Sequence, residues 1–288
     1  MRNYQIICII IICILSILYK SDNLIENFKK NKNAIVVLTK GYITNEKYNM
    51  LINRNNLIYD KFYSLVDPNN YDVIIFHEGN ITKEQQEYIQ SKTPKVPLIF
   101  TYVKFYKKEV NNPICKNTNL SNRFPNGYKN MCYFWSISFL NYLEDYNYII
   151  RIDEDCFLDK IDPNIINNYI KSDIMFSSAY YDNNEFSDVI IGMDNLFNNY
   201  MKNNNLKPKN KLSMPYTNFM ILNINFFKNN KDVTNILNEI DLSDCIFSNR
   251  WGDLPIWGYI LSYLIDKKYY ILDTGISYTH ESHSKKIN

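Results

Sequence analysis

Tyr148-Ile149-Ile150-Arg151-Ile152-Asp153-Glu154-Asp155 sets the reading of the whole chain. Its first five residues are strand formers with one arginine among them, and they stop abruptly at three carboxylates. A strand that is apolar on successive residues, rather than on every second one, is buried on both faces. That is the habit of a parallel sheet covered by helices. Open α/β sheets bind their ligands beyond the carboxyl ends of the strands, so the acidic triplet is expected at such a crevice. If the chain stays extended there, Asp153 and Asp155 point the same way and can share a hard divalent cation. Such a cation can neutralise a diphosphate and stabilise it as a leaving group. The plain alternative is a solvated acidic turn.

Outward from this stretch, short apolar runs of strand length occur at residues 34–39, 71–77 and 97–102 before it, and at 174–178, 218–224 and 269–272 after it. Stretches with helical spacing lie between them at 46–66, 82–91, 128–146, 195–203 and 255–267. There is no internal repeat. The alternation predicts an α/β fold with a mostly parallel central sheet and helices on both faces.

The 288 residues are 46% hydrophobic, enough for a sizeable core, and carry a formal charge of only +2 with acids and bases mixed along the chain. That balance excludes an electrostatic footprint for nucleic acid. Asn, Ile, Lys and Tyr are plentiful and glycine and proline scarce, the codon bias of an AT-rich genome such as that of a large DNA virus or a parasite.

Residues 6–19 are almost purely Ile, Leu and Cys, flanked by Arg2 and Lys20. The run is shorter than the usual ~20-residue span, so a cleaved signal peptide, a buried helix and a signal anchor all compete. No small-residue cleavage site follows, which favours an uncleaved anchor over residues 1–20, then a polar stem over 21–33 and the folded domain over 34–288. Flanking charges leave the orientation open.

Of six cysteines, Cys8 and Cys13 lie in the apolar run; Cys115, Cys132, Cys156 and Cys245 follow without zinc-site spacing. In an oxidising lumen these four can form up to two disulfides, and in a reducing compartment they are small core residues. Asn80 and Asn119 begin glycosylation sequons, which chance supplies in so Asn-rich a chain. Arg250-Trp251-Gly252-Asp253 puts an aromatic, a glycine and an acid just before an apolar helix. Asp253 either caps that helix or serves a sugar site, and Trp251 or Tyr128 can offer a flat face to a sugar ring.

These segments together resemble the fungal α-1,2-mannosyltransferases of glycosyltransferase family 15. The resemblance is carried by Tyr128-Lys129-Asn130-Met131-Cys132-Tyr133-Phe134, by Tyr146-x-Tyr148-Ile149-Ile150-Arg151-Ile152-Asp153, by Thr217-Asn218-Phe219, by Arg250-Trp251-Gly252-Asp253-x-Pro255, and by Gly275, Tyr278 and His280. Phe76-His77-Glu78 and Thr82-x-Glu84 follow more loosely. The resemblance runs over residues 34–280 and implies a GT-A fold, a GDP-mannose donor, a glycan or glycoprotein acceptor, manganese, retention of configuration, and a type II membrane protein of the secretory pathway. It implies metal ligation by Asp153 and His280, with Asp155 added from the acidic triplet and His283 a competing imidazole. Tyr128, Arg151, Asp153, Asp155 and Trp251 are the donor-binding candidates; Asp253 and Asn218 are the catalytic ones. His77 reads as a structural residue at a strand end.

The match fails at one telling place. Where the family has a glutamate, its proposed nucleophile, this chain has Met220, which cannot attack carbon. Either a covalent intermediate is not formed, or another acid substitutes, or the protein binds sugars without transferring them. Tyr133 replaces a family arginine and Asp153-Glu154 an acidic-proline pair, which leaves a UDP-hexose donor as a second possibility.

Overall fold

The computed structural model describes residues 32–105, 115, 122–179, 181–182, 185, 187–271, 274–281 and 285–287. The expected membrane anchor, nearly all of the stem, Asn119 and His283 lie outside the described residues. Among the described residues no helix is long and apolar enough to cross a membrane.

Seven strands form the central sheet. In chain order they are β1 (Asn33–Leu38), β2 (Tyr71–His77), β3 (Leu98–Tyr102), β4 (Tyr148–Ile152), β6 (Phe176–Ser178), β9 (Phe219–Asn223) and β10 (Tyr270–Ile271), and in space they run β10-β6-β9-β4-β1-β2-β3. Every neighbouring pair is parallel except the two made by β9, which runs antiparallel to β4 and β6. The sequence runs at 71–77 and 148–152 became strands with the expected bounds, and the other apolar runs lost a residue or two at their ends. Ile35, Val36 and Val37 of β1 are fully buried, and each contributes roughly 1.5–3 kcal/mol relative to an exposed side chain. Their side chains alternate between faces: Ala34 and Val36 join the larger core, Ile35 and Val37 the packing opposite. This is why β1 reads as a continuous apolar run.

The helices that matter to the site are α1 (Asn49–Lys61), α2 (Lys83–Lys92) and α3 (Asn126–Tyr133), which continues through a π-helical turn (Phe134–Ser138) into α4 (Phe139–Tyr142). Thr82 and Gln85 close a reciprocal capping box that starts α2. α5 (Ile165–Lys171), α6 (Met193–Asn203), α7 (Ile224–Asn229), α8 (Lys231–Ser243), α9 (Cys245–Ser248) and α10 (Asp253–Leu264) follow. α10 is buried on nearly its whole circumference, so its sequence shows no polar stripe. Gly258 lets α10 lie against Met214, since an added Cβ would stand 2.7 Å from Met214 Cγ.

A second, three-stranded antiparallel sheet joins β5 (Cys156–Lys160), β11 (Ser277–His280) and β12 (Lys285–Ile287), and β7 (Tyr181–Asp182) pairs antiparallel with β8 (Met214–Pro215). None of these strands carries a strong sequence signal, yet β11 places His280 opposite Cys156 in register. Cys115 and Cys245 are joined by a disulfide, while Cys132 and Cys156 are buried thiols. The four later cysteines thus yield one bridge among the described residues, because Cys132 and Cys156 belong to different cores.

Candidate functional site

Chain order and spatial order part company between β1 and β4. From β1 the chain steps outward to β2 and β3, then returns to lay β4 on the other side of β1. A crevice beyond the carboxyl ends opens at such a reversal. A cavity of about 450 Å³ lies there, and its walls include Thr39 and Lys40 after β1, Glu78 after β2, Tyr128 and Met131 of α3, and Glu154 after β4.

The acidic triplet does not continue the strand. Cys156 N donates to Asp153 O at 3.1 Å, closing a turn, so the alternation expected of Asp153 and Asp155 fails and the three carboxylates diverge. Asp153 takes Nε and Nη2 of Arg151 at 2.9 and 3.0 Å, and Arg151 Nη1 reaches Asp253 at 2.5 Å. The guanidinium is 2% exposed and lies 4.3 Å from the Trp135 ring centroid. Burial disfavours its charge, but the two carboxylates more than offset this and raise its pKa. Burial pushes the Asp153 carboxyl up, and Arg151 opposes that rise.

Glu154, to which the sequence gave no role, enters the cavity. It accepts hydrogen bonds from Thr39 Oγ1 and, at 2.6 Å, from Tyr42 Oη. Burial, reinforced by Glu154, keeps the Tyr42 phenol protonated as a donor. Beneath the turn, Arg54 of α1 is fully buried and donates to Ile152 O at 3.0 Å and Val36 O at 3.1 Å, tying β4 to β1. Burial lowers its pKa to about 10, with Asp153 foremost among the charges opposing the fall. Nothing in the local sequence marks this role; only the packing of α1 under the sheet creates it.

Asp155 turns towards the small sheet, where its Oδ2 lies 3.1 Å from His280 Nε2. His280 Nδ1 lies 3.1 Å from Tyr216 Oη. Ligand atoms of Asp155, Cys156 and His280 come within 4.8 Å of one another, the one such group among the described residues. A carboxylate oxygen and an imidazole nitrogen would suit a cation between the hard and the soft, as Mn2+ is. Burial pushes the Cys156 thiol up, and Asp153 and Asp155 add to it, so this sulfur stays neutral and is a poor ligand for such an ion. Asp153, committed to Arg151, is not part of the group.

The remaining candidates sort as follows. Tyr128 lines the cavity and accepts from Arg250, whose guanidinium lies 4.8 Å from the Phe124 ring centroid and 5.1 Å from that of Tyr128. Arg250 adopts φ +83°, a left-handed backbone that ordinary residues hold only where their surroundings impose it. Trp251 offers no face to a sugar: it is fully buried, and its indole nitrogen donates to Ile191 O. Asp253 is the first residue of α10, Gly252 being the cap, so its carboxylate serves Arg151 rather than the helix end. Asn218 accepts from Tyr278 Oη at 2.6 Å, and its Nδ2 is buried without a partner. Met220 sits opposite Arg151 in the β4/β9 ladder, wholly within the larger core. His77 is a buried strand-end residue whose Nδ1 accepts from Gly79 N at 3.2 Å, and burial lowers its pKa.

Solved structures share this architecture. Core-mannan synthase A from Aspergillus fumigatus, in its Mn/GDP form, superposes with a TM-score of 0.68 at 19% identity, over 86% of this chain and 74% of that one. The mannosyltransferase Ktr4p from S. cerevisiae gives 0.70 at 18%, over 88% and 71%. The fold is that of these mannosyltransferases. Ktr4p in complex with GDP gives 0.69 at 17% identity, over the same shares of the two chains. No protein-family model matches the chain, and no curated protein matches it. The likeness therefore lies in the GT-A-like α/β architecture, its mostly parallel sheet and flanking helices, well beyond what the side chains alone record.

Proposed function

We propose that this chain is a metal-dependent glycosyltransferase that moves mannose from GDP-mannose to a glycan or glycoprotein acceptor, with Mn2+ held by Asp155 and His280. One observation carries the reading: a mannosyltransferase fold in which the turn after β4 sends Glu154 into a cavity of about 450 Å³ and Asp155 to the imidazole of His280. The Mn/GDP form of core-mannan synthase A and the GDP complex of Ktr4p support the same donor and metal. When bound, the cation would neutralise the diphosphate as it leaves.

The protein's own groups would position the rest. Lys40 brings a cation to the cavity and Tyr128 an aromatic face, suited to phosphate and sugar ring. The unpartnered Asn218 Nδ2 supplies a donor that a ligand oxygen can satisfy. Asp253, 11% exposed, is the catalytic carboxylate candidate, and Arg151 fixes its position through their ion pair. Met220 leaves no nucleophile at the position where the family resemblance has one. Retention would then proceed with the leaving diphosphate assisting attack on the same face, which asks of the site only positioning and charge stabilisation.

The apolar run at residues 6–19 would anchor the protein as a type II membrane protein of the secretory pathway, and the Cys115–Cys245 bridge suits an oxidising lumen.

The test is nucleotide release by the purified chain with Mn2+, comparing GDP-mannose with UDP-hexoses, with and without chelator. Chelator-sensitive release from GDP-mannose is expected. Release from a UDP donor alone discards the mannose assignment. Saturable donor binding without release favours a sugar-binding homologue, the reading that the buried Met220 supports.

A further inference from the structure

Tyr216 lies in the connection before β9, next to Pro215, and its carbonyl accepts from Ser178 Oγ at 3.0 Å. Its half-buried ring packs on the second core, 5.7 Å from the His280 ring and inclined to it at 68°. The imidazole thus stands between two oxygens of different kind. The Asp155 carboxylate can only accept a hydrogen bond, whereas the Tyr216 hydroxyl can donate or accept. In a neutral ring, the tautomer with Nε2–H facing the Asp155 carboxylate leaves Nδ1 to accept the tyrosine proton. A cation taking the Nε2 lone pair requires the ring proton on Nδ1, which then needs an acceptor.

We propose that Tyr216 is the positioning residue of the metal site: its hydroxyl holds His280 Nδ1 in both tautomers and so lets Nε2 face a divalent cation beside Asp155. The ring loses a proton from Nε2 and gains one at Nδ1, so its charge is unchanged, and the tyrosine rotates from donor to acceptor. Phenylalanine would keep the packing but leave Nδ1–H facing carbon. A carboxylate or carbonyl in the tyrosine's place would fix the metal-ready tautomer permanently and set the proton-free Nε2 against Asp155 whenever the ion is absent. The proposal rests on the metal-site reading above.

The experiment is titration of the purified full-length chain with Mn2+ alone, free ion being read by electron paramagnetic resonance. Tyr216→Phe should weaken Mn2+ binding about 10-fold or more, the usual cost of losing an outer-shell partner. In a His280→Gln background the same substitution should have no further effect. No loss in the Tyr216→Phe protein, or an equal loss in both backgrounds, overturns the role, because mere packing would act regardless of the imidazole. If Asp155→Asn and His280→Gln leave Mn2+ binding unchanged, the metal site itself is wrong and this role falls with it. A second measurement needs no variant. The chain has three histidines, so 15N-histidine shifts of the metal-free protein resolve the tautomer directly. Nε2–H at His280 is expected, and Nδ1–H overturns the proposal.

Discussion

Asp153 and Asp155 stand two residues apart on one turn, yet one faces an arginine in the protein interior and the other a histidine at the end of the middle strand of a second sheet. The first is part of a closed charge system, in which Arg151 is shared by Asp153 and Asp253 and covered by Trp135. The second is an open pair: a carboxylate and an imidazole that a cation can bridge. A carboxylate whose charge is already matched by a buried guanidinium has little left for a metal; one set against an imidazole keeps more of it. The turn after β4 therefore separates, within three residues, the acid paired with Arg151 from the one proposed as a ligand, and Glu154 between them goes to the cavity.

The largest effect expected from breaking this contrast is on stability. Arg151→Met leaves Asp153 and Asp253 partly buried without their common cation and should cost about 3–5 kcal/mol, the scale of an orphaned buried charge. Urea unfolding followed by circular dichroism measures it; a loss under 1 kcal/mol would mean the triad is solvated. The next effect is on the ion. Asp155→Asn should weaken Mn2+ binding at least ~10–100-fold, beyond the cost of outer-shell changes, with little change in the urea midpoint. Asp153→Asn should do the reverse, lowering the midpoint while moving Mn2+ affinity far less. Equal metal losses in the two variants would erase the distinction drawn above.

The smallest effect sharpens the contrast with a second imidazole, that of His77, whose Nδ1 accepts from a backbone N–H. Burial lowers the pKa of His77 below its unfolded value of about 6.5, so the folded state takes up the proton less readily than the unfolded chain. Its contribution is fully present above pH 6.5 and is lost as pH falls from there through the folded pKa. His77→Asn should flatten that part of the urea-midpoint profile between pH 7 and 5. An unchanged slope would assign it to other groups.

Much of the fold was legible because its strands are buried on both faces. The runs that became β1, β2 and β4 are apolar at successive residues, and that pattern survives in a single sequence whatever the strands pack against. Asp153, Asp155 and Asp253 were visible as acids at strand and helix ends, and Met220 as a residue that cannot be a nucleophile. The strands β5 and β11 were not visible: each is short, and only their pairing brings together the side chains of Asp155 and His280, 125 positions apart. Trp251 misled because an aromatic beside a glycine and an acid looks the same in sequence whether it is buried or bared.

By itself the sequence determined the sheet, its helical cover and the presence of carboxylates at the crevice, since burial periodicity and strand termini are local properties of the chain. Which carboxylate faces the buried arginine and which the histidine was decided only by the tertiary structure. That choice depends on where Arg151 and His280 arrive in space, and a charge acts over ångströms of distance rather than positions of sequence.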